Sequence, residues 1–286
     1  MCYDTISDEP SANLFALGTA NDNIPQDSYT INKYISKGSE AMILGIDVGN
    51  TNIVIGGIQD GELIFSERDK TEVGNIEKLL NTVKDKTFEG AILSSVVPWI
   101  DDSIVSCVRK TFGLETVLVN PGLKMNISIP ERVKKEIGAD IIVGLCAAAT
   151  EHAAPLAVID MGTATTVFLL DKDLVIAGGT IHPGIGIELN ALSSKTSLLP
   201  RISSVRIPEK VLGQNTNECI LSGVVFGHAG MIDSILDHME EEIGSEINAI
   251  ATGGLGRFVI PVCRHKLVYD ESLLIKGLDL LYKLNS

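Results

Sequence analysis

From Met42 onward the chain carries two hydrophobic rhythms in alternation. Short apolar runs bounded by turn residues predict strands at residues 42–46, 53–58, 90–94, 116–119, 156–159, 166–170 and 247–251. Apolar positions spaced three and four apart predict helices over residues 76–83, 100–112, 141–151, 185–192, 215–242 and 272–284. The long stretch 215–242 carries Gly223, Gly227 and Gly230 on its path. Each costs a helix about 1 kcal/mol against alanine, so the sequence predicts close packing of that face against another segment. Strands alternating with helices predict an α/β fold.

Part of the pattern repeats. Asp47-Val48-Gly49-Asn50-Thr51-Asn52 recurs as Asp160-Met161-Gly162-Thr163-Ala164-Thr165. Each copy follows an apolar strand and enters a second β-rich run. A hairpin signal follows (Asp60-Gly61 or Asp171-Lys172-Asp173), with a third strand beyond it. Two such units predict a duplicated architecture, with residues 42–155 forming one half and 156–286 the other.

The repeated turn has phosphate-binding equipment. Gly49 and Gly162 let a ligand approach the backbone, and backbone N–H groups with the hydroxyls of Thr51, Thr163 and Thr165 are available as donors to phosphoryl oxygens. Asp47 and Asp160 cannot donate to an anion and are suited to holding cations beside it. Other nucleotide signatures are missing: there is no G-x-x-x-x-G-K-[ST], no kinase H-R-D-L-x-x-x-N or D-F-G, and Leu189 stands where a dinucleotide fingerprint needs its third glycine. No G-x-S-x-G elbow occurs either.

Composition narrows the partners. With 45% hydrophobic and 21% charged residues the chain has the means to bury a core. Its net charge of −14 disfavours nucleic acid and anionic membranes as partners. Uncharged apolar runs such as 141–150 are about half the roughly 20 residues of a membrane span, so the expectation is a soluble, cytoplasmic protein. Five cysteines without a C-x-x-C pair predict free thiols, with Cys146 and Cys219 buried in apolar helices. The five histidines form no H-E-x-x-H or comparable spacing, so no zinc site is expected. Residues 1–41 differ, with six acidic residues, two lysines and no arginine. They fit neither a signal nor a transit peptide. Met42 reads as the native start behind a translated leader, or residues 1–41 form a disordered extension.

On these motifs the chain resembles the type III pantothenate kinases of the actin-like, sugar-kinase-like ATPase superfamily. The resemblance rests on Ile46 to Asn52, Gly138-Ala139-Asp140, Asp160 to Thr165, Gly178 to Gly184, Thr196 to Pro200, Asn215-Thr216 and Thr252-Gly253-Gly254. It implies duplicated ribonuclease H-like halves with mixed sheets flanked by helices, and ATP-dependent phosphorylation of pantothenate, the first step of coenzyme A synthesis. It also implies Mg2+ with ATP, K+ or NH4+, and a homodimer with the substrate pocket near its interface. By the same resemblance Asp47, Val48, Gly49, Asn50, Thr51, Asn52, Ile53, Val54 and Thr163 contact ATP, with Asp47 facing the magnesium. Gly138, Ala139, Asp140, Ile141 and Thr216 contact the substrate, and Asp160 holds the monovalent cation. Asp140 is the proton acceptor. From local sequence alone an N-cap for the helix that follows is the competing role for this aspartate.

The departures are specific. Ile141 stands where the family's usual motif has arginine, so a guanidinium suited to a carboxylate is absent. Arg132, Lys134 and Lys135 are candidates to replace that charge, or form an exposed basic cluster. His182 either packs at a helix start or reaches the pocket, and Trp99 reads as packing or dimer surface. An ATP-binding regulatory paralogue without kinase activity and a superfamily phosphatase are the alternative functions.

Overall fold

The apolar run after Met42 becomes the centre of a sheet. In the computed structural model, which describes residues 42–286, β1 (Ile43–Val48) pairs antiparallel with β2 (Asn52–Gln59) and parallel with β4 (Gly90–Ser95). β3 (Glu62–Lys70) lies outside β2 and β5 (Thr116–Leu118) outside β4, in the order β3-β2-β1-β4-β5. The expected leader, residues 1–41, lies outside the described residues. Ile43, Leu44 and Ile46 are all buried, because helices cover both faces of the strand; this is why it reads as a continuous apolar run.

The second half repeats the plan. β6 (Leu156–Met161) is central, with β7 (Ala164–Leu170) and β8 (Ile176–Pro183) on its antiparallel side. β9 (Asn248–Thr252) and β10 (Leu267–Tyr269) extend its parallel side, in the order β10-β9-β6-β7-β8. Strand for strand this is the first sheet again. β10 has only three residues, too few to show a period, and the sequence pattern missed it.

Helices complete three buried layers. α1 (Val73–Thr82) and α2 (Pro98–Phe112) cover the outer face of the first sheet, where Ile76, Leu80, Ile100 and Ile104 meet Leu44 and Ile46. α4 (Ile185–Lys195) and α5 (Thr216–Ile243) cover the outer face of the second, with the short α6 (Gly256–Val259) beside them. Between the sheets lie α3 (Ala139–Glu151) and α7 (Leu273–Asn285), which pack on each other. Their shared core takes Ile43 and Ile92 from the first sheet and Leu156 and Ile250 from the second. The strands thus part at residue 155, while each half lends a helix to the middle: α3 reaches β6 and β7, and α7 returns to β1 and β4.

α5 corrects three expectations. Among the described residues it is the one helix long and apolar enough to cross a membrane, although the sequence reading put the longest apolar runs near ten residues. Ile220, Val224, Ile232 and Leu236 on its inner face belong to the core of the second half, which accounts for its apolarity. Cys219, expected to be buried, is exposed on the first turns of this helix, whereas Cys146 is buried in α3. At Gly223, Gly227 and Gly230 an added Cβ would meet nothing within 4 Å, so the close packing predicted for them is not made among the described residues.

Candidate active site

Both repeated turns sit at the same place in their sheets. Asp47, near the end of β1, faces Val54 of β2 on one side and Ser94 of β4 on the other. Asp160, near the end of β6, faces Thr166 of β7 and Thr252 of β9. The turns are not identical. Gly49 N donates to Asn52 O at 3.0 Å, and four residues separate the paired Val48 and Ile53. Gly162 N donates to Ala164 O at 3.0 Å, and only three residues separate Met161 and Thr165.

That one-residue difference moves a predicted donor. Thr165 takes the place that Ile53 has in the first half and turns inward. It is 1% exposed, and its hydroxyl lies 2.8 Å from His228 Nε2, so it is not a phosphate donor as the sequence suggested. Thr51 and Thr163 remain exposed at the turn tips, with Asn50 beside the first. Asn52 and Val54 are half-buried; Val48 and Ile53 bury their side chains and offer a ligand only backbone groups.

The turns are braced by residues outside the motif. Thr71 donates its hydroxyl to Gly49 O at 2.6 Å and its N–H to Thr51 O at 3.1 Å, a brace the sequence pattern did not signal. Beneath the second turn, Gly184 N donates to Thr163 O at 3.1 Å. A Cβ at Gly184 would lie 2.4 Å from that oxygen, which explains glycine there. Gly253, at φ +93, passes so close to Met161 that a Cβ would lie 2.5 Å from its carbonyl oxygen.

Asp140 enters from the middle layer. The N-cap of α3 is Gly138, and Asp140 is the second helical residue, so the capping role is corrected. Its Oδ1 accepts the neighbouring Ile141 N–H at 2.8 Å. Asp140, Ile141, Asp160, Thr166 and Thr252 line one narrow cavity between the halves. Asp47 belongs to the same electrostatic group. Burial pushes its carboxyl up to about 6, with the Asp140 charge adding to the rise and Ser94 opposing it. Burial, then Asp140 and Asp47, push Asp160 up to about 7. Asp140 is raised chiefly by burial, against the N–H that it accepts. Among the described residues no cationic side chain appears among the groups that set these ionisations. Three mutually repelling carboxylates at the junction of two Gly-turns are an oxygen donor set for hard cations.

The candidate substitutes for the missing arginine are engaged elsewhere. Arg132 donates to the carbonyls of Ile176 and Ala177, at 3.4 and 3.2 Å, and Lys134 pairs with Glu131 at 2.8 Å. Lys135 is exposed. Ile141 packs against the middle core. Thr216 is the exposed first residue of α5 and shares no hydrogen bond with the aspartates among the described residues. His182 lies beside Glu188 and His228, and Trp99 is 67% exposed at the start of α2.

Comparison with known proteins accords with this geometry. Residues 43–238 match the type III pantothenate kinases, and the chain belongs to that family. The structure resembles a putative Baf family transcriptional activator from Campylobacter jejuni (18% identity, 84% of this chain and 97% of that one, TM-score 0.56). It resembles equally a putative 2-dehydro-3-deoxygalactonokinase from Sinorhizobium meliloti (13% identity, 84% and 96%, TM-score 0.56). A ROK family glucokinase from Streptomyces griseus, in complex with glucose and AMPPNP, follows at 11% identity (85% and 100%, TM-score 0.50). At these identities the likeness is one of fold, that of actin-like and sugar-kinase ATPases with duplicated ribonuclease H-like halves.

Proposed function

We propose that this member of the type III pantothenate kinase family transfers the γ-phosphoryl group of ATP to pantothenate, giving 4′-phosphopantothenate. The observation that carries the reading is the convergence of Asp47, Asp140 and Asp160 where the two Gly-turns meet the middle helix layer.

Each residue has a distinct task. The backbone of residues 47–54 and the Thr163 tip hold the triphosphate. Asp140 stands at the substrate side with Gly138, Ala139 and Ile141 and accepts the hydroxyl proton of pantothenate as its oxygen attacks. A carboxyl raised by burial is a better proton acceptor than a solvated aspartate. Asp47 would hold magnesium on ATP, and Asp160 a potassium or ammonium ion. The bound cations offset phosphate charge; the protein's part is alignment, which supplies most of the catalysis of phosphoryl transfer. Thr216, at the N-terminus of α5, is assigned to the substrate.

A homodimer belongs to this reading. The exposed glycine face of α5 lacks a partner among the described residues, and Ile181, Leu198 and Leu212 are exposed in the same half. A second copy laid on that face would compensate the helix for its glycines. A soluble, cytoplasmic setting follows from the substrates.

Ile141 favours a second reading, a regulatory ATP-binding protein, because it cannot pair with the carboxylate of pantothenate. ATP turnover measured with and without pantothenate decides. Turnover strictly dependent on pantothenate supports the kinase; none in either condition supports the regulator; release of phosphate from ATP alone points to a phosphatase.

A further inference from the structure

A second cluster of chemistry-bearing side chains lies outside the aspartate group. β8 contributes His182, α4 Glu188 and α5 His228, the last 40 positions beyond Glu188 and so outside any short spacing motif. One ligand atom from each lies within 4.8 Å of the other two. Glu188 Oε1 is 3.4 Å from His182 Nδ1 and 3.4 Å from His228 Nδ1. Two ligands bound tetrahedrally to zinc at about 2.0–2.1 Å are about 3.3–3.4 Å apart. Both contacts therefore have the length of an edge of a zinc tetrahedron and exceed that of a good hydrogen bond.

His228 points to a missing occupant. Its side chain is wholly buried, and among the described residues Nδ1 has no hydrogen-bond partner, only Glu188 Oε1 facing it at 3.4 Å. Its other nitrogen, Nε2, is 2.8 Å from Thr165 Oγ1. If Nε2–H donates to that hydroxyl, Nδ1 presents a bare lone pair to the Glu188 carboxylate, and two acceptors face each other. A cation between them removes the conflict. A second-sphere hydrogen bond of this kind is what orients a metal-binding histidine and selects its tautomer. His182 is the adaptable member: its Nδ1–H donates to Pro183 O at 2.9 Å, and with the side chain 39% exposed the proton that a metal displaces is released to solvent.

We propose that His182, Glu188 and His228 form a binding site for a zinc-class divalent transition metal, with three protein ligands and a fourth position open beside His182. The donor set of two imidazoles and one carboxylate suits zinc over magnesium or calcium, which take oxygen. The site ties β8, α4 and α5 together and reaches the second Gly-turn through Thr165. It stands independently of the reaction assigned to the aspartates.

The test is titration of the chelator-treated full chain with Co2+, followed by visible absorption, and with Zn2+, followed by calorimetry. The expected result is one equivalent bound, with the intense visible bands of tetrahedral cobalt. His182→Ala and Glu188→Gln, which alter only partly exposed side chains, should each weaken binding at least about 10-fold while melting like the wild type without metal. His265→Ala, in the separate Asp237–Glu240–His265 cluster, should leave binding unchanged. Absence of binding in the wild-type chain overturns the proposal. So does binding that survives both His182→Ala and Glu188→Gln, or that vanishes in His265→Ala.

Discussion

Gly138 leaves room for the carboxylate of Asp140: a Cβ at position 138 would lie 2.4 Å from Asp140 Oδ1. The glycine that caps α3 is therefore also the residue that allows the aspartate to keep its rotamer over the cavity. Gly138→Ala should misplace the Asp140 carboxylate, the proposed base, while sparing the two Gly-turns. We expect kcat to fall at least about 10-fold, since small errors in position cost this much or more, with little change in ATP affinity. Steady-state kinetics at varied ATP check it.

Asp140→Asn keeps size and shape and removes proton acceptance. The expected loss in kcat is on the order of 10²–10⁴-fold, with the melting temperature nearly unchanged. Asp140→Ala also loses the acceptor for Ile141 N–H, a first-turn donor, for which about 1 kcal/mol is the expected ceiling because the helix cap itself is Gly138. A kcat for Asp140→Asn within threefold of wild type, at saturating ATP and pantothenate, removes Asp140 as the base.

Stability should depend on pH through Asp47 and Asp160. Their folded pKa values, about 6 and about 7, lie above the unfolded value of 3.8, so the folded chain holds more protons across that interval. Without ligands, stability therefore falls as pH rises from about 4 to about 7, and the penalty is complete above the higher value. Asp160→Asn should remove its share and stabilise the ligand-free chain at pH 8, by an amount on the order of 2–4 kcal/mol. Thermal melts of both proteins from pH 4 to 8 test the sign; a variant less stable than wild type at pH 8 contradicts it.

The same carboxylates predict a cation effect. Potassium or ammonium should raise both the melting temperature at pH 8 and the rate of ATP turnover, whereas sodium alone should not sustain the rate. Equal turnover in sodium and potassium buffers would remove the monovalent-cation role of Asp160.

Gly227→Glu probes the dimer. Nothing among the described residues lies within 4 Å of a Cβ there, so the fold should tolerate the change. A charge buried against a second copy should instead separate the protomers. Sedimentation should show a dimer for the wild type and a monomer for Gly227→Glu, both with native melting curves. A wild-type monomer contradicts the assembly.

The sequence by itself determined the elements whose signal is local. Apolar runs located the strands within a residue or two, and three-to-four spacing located the long helices, because burial on one face or both writes itself into adjacent positions. The repeat of Asp47 to Asn52 at Asp160 to Thr165 announced two halves, since both turns need glycine and a carboxylate at the same strand end. What depended on distant contacts was beyond it. Thr165 aligned with a polar turn residue, yet a loop one residue shorter reverses the face on which its side chain lies, as alternation along a strand requires. Cys219 followed the helical rhythm but falls off the buried face of α5. The exchange of α3 and α7 between the halves was not legible either. Nor was the meeting of His182, Glu188 and His228. Both depend on how separate elements stack, and side-chain neighbours across a core come from regions with no fixed spacing in the chain. Only the tertiary structure sets the distances among Asp47, Asp140 and Asp160, and so only it decides that three ordinary aspartates share one electrostatic field.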